Sequence, residues 1–273
     1  MALAAFVGGI CSAQSPFFRF QKNEEIRHTL QVGHLTMDID SNNGARIVSL
    51  KYDDTEVLSQ INFPNQYGST FWTSPQKEWN WPPVAEHDMK PYEVTKDGDA
   101  LIMTSQLSKK FPVIIRKRFE TDPAEQCFVV TYTIVNASDS VRRVAPWEIT
   151  LVMAHGTITF DAPVSGITPA GLMNFVEKDG LATYEIDHVE GQNRKINADG
   201  KGWLSFVGEN GLRLTKRFPD LDPSQPAPDE AEIQVYVHQG DAYVELESQG
   251  AYTTLQPGES LDWTVRWYIE LAK

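Results

Sequence analysis

The chain has 273 residues, a formal net charge of −13, 41% hydrophobic residues and 22% charged ones. That composition belongs to a globular protein, and the length admits one large all-β domain or two small ones. The charge argues against nucleic acid and anionic membrane surfaces, which need a basic face; a neutral sugar or a cation fits.

Residues 1–13, MALAAFVGGICSA, carry no charge. An apolar core followed by Cys11-Ser12-Ala13 predicts a signal peptide cut after Ala13. The basic n-region is missing, so the leader is read as truncated; a buried N-terminal strand or helix is the alternative. Residues 14–273 are then expected to form the mature protein, periplasmic or secreted. The two cysteines, Cys11 and Cys127, exclude a disulfide framework and a Cys-rich zinc site. Cys127 lies in the apolar run CFVVTYTIV and reads as a buried thiol. No later stretch is apolar and long enough to span a bilayer. P-loop and dinucleotide fingerprints are absent, and no cofactor is expected.

The remaining periodicity is that of strands. His34–Asp40, Arg46–Tyr52, Leu101–Leu107, Val113–Phe119 and Cys127–Asn136 are rich in β-branched and aromatic residues. So are Trp203–Val207, Leu212–Lys216 and Ile233–Val237. Leu261–Glu270 alternates over its whole length, with Leu261, Trp263, Val265, Trp267 and Ile269 on one face. Turn residues punctuate these runs: Asn43-Gly44, Asp97-Gly98, Asn210-Gly211 and Pro257-Gly258. Many strands with no helical stripe predict a single, large, antiparallel all-β sandwich.

Four segments carry candidate chemistry. Gly68–Pro83, GSTFWTSPQKEWNWPP, holds Trp72, Trp79 and Trp81 in a Pro-rich stretch that reads as a loop. Rigid aromatics there suit stacking on a sugar ring, or equally a small core capping a sheet edge. His87 follows at once and is the histidine to test, although most lone histidines are structural. The six histidines show no metal-ligand spacing, so no metal site is expected. In Ala145–Thr150, APWEIT, Trp147 and Glu148 point to opposite faces. Glu148 sits between apolar neighbours, where a carboxylate costs several kcal/mol unless it is paired or lines a pocket. Asp220–Asp229 is acidic and Pro-rich, hence a solvated loop. In Tyr243–Gln249, YVELESQ, Val244 and Leu246 suit the core. Tyr243, Glu245, Glu247 and Gln249 share the other face. Glu245 or Glu247 is a candidate general base if that face is concave, whereas a solvated outer face is the commoner setting.

The C-terminal stretch AEIQVYVHQGDAYVELESQGAYTTLQPGESLDWTVRWYI resembles the end of aldose 1-epimerases, the galactose mutarotase-like proteins. Glu247-Ser248-Gln249 matches their Glu-x-Gln strand and Pro257-Gly258-Glu259 their last turn. The resemblance implies an antiparallel β-supersandwich and a Glu247 that takes the anomeric hydroxyl proton, with Gln249 beside it. GSTFWTSPQ resembles a Gly-rich, Pro-containing segment of the hexose-phosphate epimerase branch, which puts His87 where that branch carries a sugar-binding His. Glu148 falls near the family's acid His. Together, GSTFWTSPQKEWNWPP and APWEIT look most like a bacterial family of this superfamily, the DUF4380 type. The family's sugar-binding Arg has no counterpart; Lys90 or Lys77 would have to replace it.

The resemblance thus implies a carbohydrate-active protein with Glu247 as base and Glu148 or His87 as acid. Trp72, Trp79, Trp81, Trp147 and Tyr243 would be sugar-contacting walls. The expected partner is a neutral mono- or oligosaccharide. A catalytically silent saccharide-binding module and a polysaccharide hydrolase or lyase relative are the competing readings. A uronate or sugar phosphate would need Lys77, Lys90 or Arg116 in the cleft.

Overall fold

The computed structural model describes residues 24–61, 66–240 and 242–272. The expected signal segment 1–13, with Cys11, lies outside them. The first strands are β1 (Arg27–Val32), β2 (Leu35–Asp40), β3 (Arg46–Tyr52), β4 (Thr55–Glu56) and β5 (Ser69–Ser74). A short helix, α1 (Ala85–Asp88), precedes β6 (Glu93–Asp97), β7 (Ala100–Thr104), β8 (Val113–Asp122), β9 (Cys127–Asn136) and β10 (Arg142–Val152). Next come β11 (Gly156–Phe160), β12 (Val176–Lys178), β13 (Leu181–Glu185), β14 (Arg194–Ala198) and β15 (Trp203–Gly208). The last are β16 (Leu212–Arg217), β17 (Ile233–Val237), β18 (Val244–Gln249), β19 (Thr253–Leu255) and β20 (Ser260–Leu271).

These strands form two antiparallel sheets packed face to face, as the sequence predicts. The first runs β1-β2-β3-β5-β10-β18-β17-β14, with β4 on β3 and β19 on β10. The second runs β12-β13-β11-β15-β16-β20-β9-β8-β7-β6. In β20 the alternation becomes burial: Trp263, Val265, Trp267 and Ile269 are buried and face the core. Across the sheets Phe71 of β5 stacks on Tyr132 of β9, ring centres 4.3 Å apart. Burying such large side chains is the main driving force for closing the two layers.

One expectation is corrected here. Ser69–Ser74, read as part of a Pro-rich loop, is the strand β5 in the middle of the first sheet, and all six residues are buried. The prolines begin only at Pro75, after the ladder ends. Helix α1 then packs over the outer face of β5. Gly44, at φ +72°, makes that approach possible, since an added Cβ would lie 2.3 Å from the Asp88 carbonyl oxygen.

Candidate functional site

Cross-strand partners share a face of the sheet, so the register fixes what stands together. Trp72, Trp147 and Gln249 form one rung across β5, β10 and β18. Ile149, Glu247, Gln234 and Asn197 form the next, reaching β14. Leu151, Glu245, Tyr236 and Lys195 form the third. All three lie on the face turned away from the second sheet.

On that face lies a cleft of about 550 Å³, walled by Trp72, Trp81, Trp147, Tyr236 and Tyr243, with Lys195, Glu245 and Glu247 among its polar groups. Its size suits a small ligand. Glu247 is only 1% exposed. Its Oε2 accepts hydrogen bonds from Trp147 Nε1 at 2.7 Å and Lys195 Nζ at 2.8 Å. Its Oε1 has no hydrogen-bond partner among the described residues. Lys195 also lies 4.8 Å from the centre of the Trp147 ring. The carboxylate is therefore fixed through one oxygen, while the other is buried at the cleft wall without a hydrogen-bond partner among the described residues.

The aromatic walls are braced from behind. Asp88 of α1 accepts bonds from Trp72 Nε1 at 2.9 Å, Thr70 Oγ1 at 2.6 Å and Arg46 Nη2 at 2.9 Å. Trp147 meets Trp72 edge to face at 5.3 Å. Trp79 does not line the cleft; it is buried, packs against Trp72 at 5.8 Å and donates to the Thr73 carbonyl. Trp81 is 58% exposed at the lip. Gln249 is buried and donates to Gln234 and Glu230, at 2.9 and 3.0 Å, beside rather than inside the cleft.

Two expected catalytic residues lie elsewhere. Glu148 points between the sheets, because its neighbour Trp147 takes the outer face. It is fully buried and ion-paired with Lys216 of the second sheet. Ser69 and Ser248 hydroxyls donate to it at 2.6 and 3.1 Å, and Thr150 also donates. It is a core anchor, not a cleft acid. His87 is buried on α1 and donates from Nε2 to the Val113 carbonyl at 3.1 Å. Sequence proximity to the tryptophans does not bring it to the cleft. Burial pushes its imidazole down to about 4.

That shift has a thermodynamic consequence. The unfolded chain protonates His87 near 6.5 and the folded one near 4, so the unfolded state binds more protons between them. The stabilisation is complete above pH 6.5 and is lost as pH falls toward 4, amounting to about 3 kcal/mol. His87→Gln should flatten the denaturation free energy against pH in that window. An unchanged slope would show that the ring titrates normally.

Lys90 and Arg116 are exposed and do not line the cleft, and Lys77 pairs with Asp229 at 3.6 Å. The cation that sequence reasoning missed is Lys195, in the polar run GQNRKINADG, whose partner lies 52 positions away. Tyr236 and His238 were missed with it. Among the described residues, Asp122, Glu125 and Cys127 form a cluster of metal-ligand types. Arg266 already bonds Asp122 and Glu125 there, at 2.9 and 3.1 Å, and burial pushes the Cys127 thiol up. The guanidinium thus supplies the charge a cation would bring.

No family model matches the chain, and no curated relative matches it. Solved structures do. A galactose mutarotase-like protein from Lactobacillus casei is 13% identical, with TM-score 0.64 over 89% of this chain and 100% of that one. A candidate aldose 1-epimerase from Escherichia coli K12 is 13% identical, with TM-score 0.63 over 91% and 100%. A galactose mutarotase-like protein from Clostridium acetobutylicum is 12% identical, with TM-score 0.58 over 89% and 94%. At this identity the likeness shows the fold: a galactose mutarotase-like sandwich.

Proposed function

We propose that the cleft binds a saccharide and that the protein exchanges its anomers, in the manner of an aldose 1-epimerase. The observation that carries this is the Glu247 carboxylate, fixed through one oxygen by Trp147 and Lys195 inside an aromatic-walled cleft. Flat apolar rings suit the C–H face of a pyranose, and the carboxylate suits its hydroxyls. The fold's sugar-related neighbours support the same ligand class. The segments GSTFWTSPQKEWNWPP and APWEIT together support a reading of the chain as of the DUF4380 type, and the leader-like residues 1–13 support a periplasmic or secreted address.

In this reading Glu247 takes the proton of the anomeric hydroxyl while Lys195 gives one to the ring oxygen. The C1–ring oxygen bond breaks and a C1 carbonyl forms. Rotation about C1–C2 and the reverse transfers then close the ring on its other face. Lys195 replaces Glu148 and His87 as the donor, since both lie outside the cleft. Lys195 Nζ stands 2.8 Å from Glu247 Oε2, so the donor and the acceptor are already side by side before substrate arrives, as general acid–base exchange requires.

Polarimetry of freshly dissolved aldoses tests the reading, with tryptophan fluorescence as the binding signal. Faster anomer exchange with some aldose supports it; binding without exchange reduces the protein to a saccharide-binding module. Exposed Trp81 offers a second check. Trp81→Ala should leave stability within about 0.5 kcal/mol and weaken sugar binding by about 1 kcal/mol, roughly fivefold. Unchanged affinity would remove Trp81 from the binding surface.

A further inference from the structure

The cleft has more carboxyl groups than ammonium groups. It holds two carboxylates, Glu245 and Glu247, and one ammonium, Lys195. Lys195 is committed to Glu247 and to the face of Trp147. The protein thus holds one ammonium of its own between a carboxylate and an indole, which is a favourable setting for a cation.

Glu245 repeats the carboxylate half of that arrangement with no ion pair among the described residues. It is half-buried two positions before Glu247, on the same face of β18 and opposite Tyr236. Tyr236 and Tyr243 stack with ring centres 6.3 Å apart, and His238 stacks on Tyr243 at 4.9 Å. These rings, with Glu247 and Lys195, are the titratable groups around it. Burial, reinforced by the charge of Glu247 and opposed by Lys195, pushes its carboxyl up to about 8. An adjoining cavity of about 410 Å³ shares Lys195 and adds two more acids, Asp229 and Glu230. Lys195 is the single Lys or Arg among the lining residues of the two cavities, against four acids.

We propose that this cleft selects a saccharide bearing a protonated amine, an unacetylated amino sugar, with Glu245 as its counter-charge and Tyr236 and Tyr243 as the ring faces beside the ammonium. The proposal rests on the saccharide reading above and names the substrate class within it. A uronate or sugar phosphate finds only Lys195, which is already paired with Glu247, and is rejected for want of a free cation. Bound beside Glu245, the ligand's ammonium favours the ionised carboxyl, so below about pH 8 binding displaces a proton to the buffer.

The test is tryptophan fluorescence titration at pH 6.5 with D-glucosamine, D-glucose, N-acetyl-D-glucosamine and D-glucuronate, and with the matching galactose series. In at least one series the free amine should bind tenfold or more tighter than the parent sugar and its N-acetyl form, and the uronate should not bind. Glu245→Gln should bring the ratio of amine to parent-sugar affinity, both measured on the same variant, to about one, whereas Glu93→Gln, on the exposed β6, should leave that ratio at the wild-type value. Calorimetry in two buffers of different ionisation heat should show proton release for the wild type only. Equal affinity for amine and parent sugar overturns the proposal while leaving saccharide binding intact, as does an amine advantage that survives Glu245→Gln. No response to any of the sugars overturns the saccharide reading and the proposal together.

Discussion

Lys216→Met is expected to destabilise the fold by about 3–5 kcal/mol, because it strands the Glu148 carboxylate between the sheets. Lys216 Nζ now donates to Glu148, to the Thr150 hydroxyl at 3.1 Å and to the Leu246 carbonyl at 2.9 Å. Both charged groups are fully buried, so no water enters to replace the lost ammonium. The three hydroxyls around Glu148 solvate it only in part. Thermal unfolding should fall by roughly 10 °C for a chain of this size. The double variant Lys216→Met with Glu148→Gln should recover at least half of the loss, since removing both charges of a buried pair is often close to neutral. A single variant that costs under 1 kcal/mol would show that the pair does not hold the sheets together.

Glu247→Gln is expected to have the opposite profile, an intact fold and a large loss of rate. Glutamine keeps an oxygen for Trp147 Nε1 and Lys195 Nζ, and Lys195 is 35% exposed, so water takes up its unpaired charge. The substituted amide cannot accept the anomeric proton. Loss of a positioned general base lowers the rate by roughly 10²- to 10⁴-fold. Sugar affinity should change only a few-fold, because the aromatic walls stay in place. Anomer exchange followed by polarimetry and affinity followed by fluorescence separate the two effects. A variant that retains wild-type exchange would assign the base to another group. The same assay on Lys195→Met reports the donor, with a loss of rate expected; some loss of stability accompanies it, because Glu247 is left without its cation.

The sandwich was legible where one face of a strand is wet. Leu261–Glu270 and Cys127–Asn136 alternate because every second position reaches toward solvent; Arg46–Tyr52 and Ile233–Val237, largely covered on both faces, coincide with β3 and β17 through their β-branched content and flanking turns. Ser69–Ser74 was not legible, because both of its faces are covered. Phe71 faces the other sheet and Trp72 the cleft, with α1 packed behind it, so period-two contrast vanishes. At the site, the pattern in YVELESQ correctly separates Val244 and Leu246 from Glu245 and Glu247. The resemblance, not the pattern, prefers Glu247. Glu148 was legible as a carboxylate that must be paired, but period two cannot say whether its partner is a ligand or the opposite sheet. Lys195 carries no local signal at all. Its importance comes from a register that joins three strands, and neither His87 nor the lysines nearer the tryptophans in sequence share it.

Strand β10 gives the molecule a constraint on how it can diverge. Trp147 walls the cleft and Glu148 anchors the interior, and they are adjacent residues on opposite faces of one ladder. Adding or deleting one residue there would turn the indole inward and the carboxylate outward, ruining binding and cohesion in one event. Change of the cleft is therefore expected by substitution on the outward positions of β10, β14, β17 and β18, and change of length in connections such as residues 75–84 and 219–231. Homologues with altered ligands should differ in those two connections and keep the spacing of β10 and β18 without a gap.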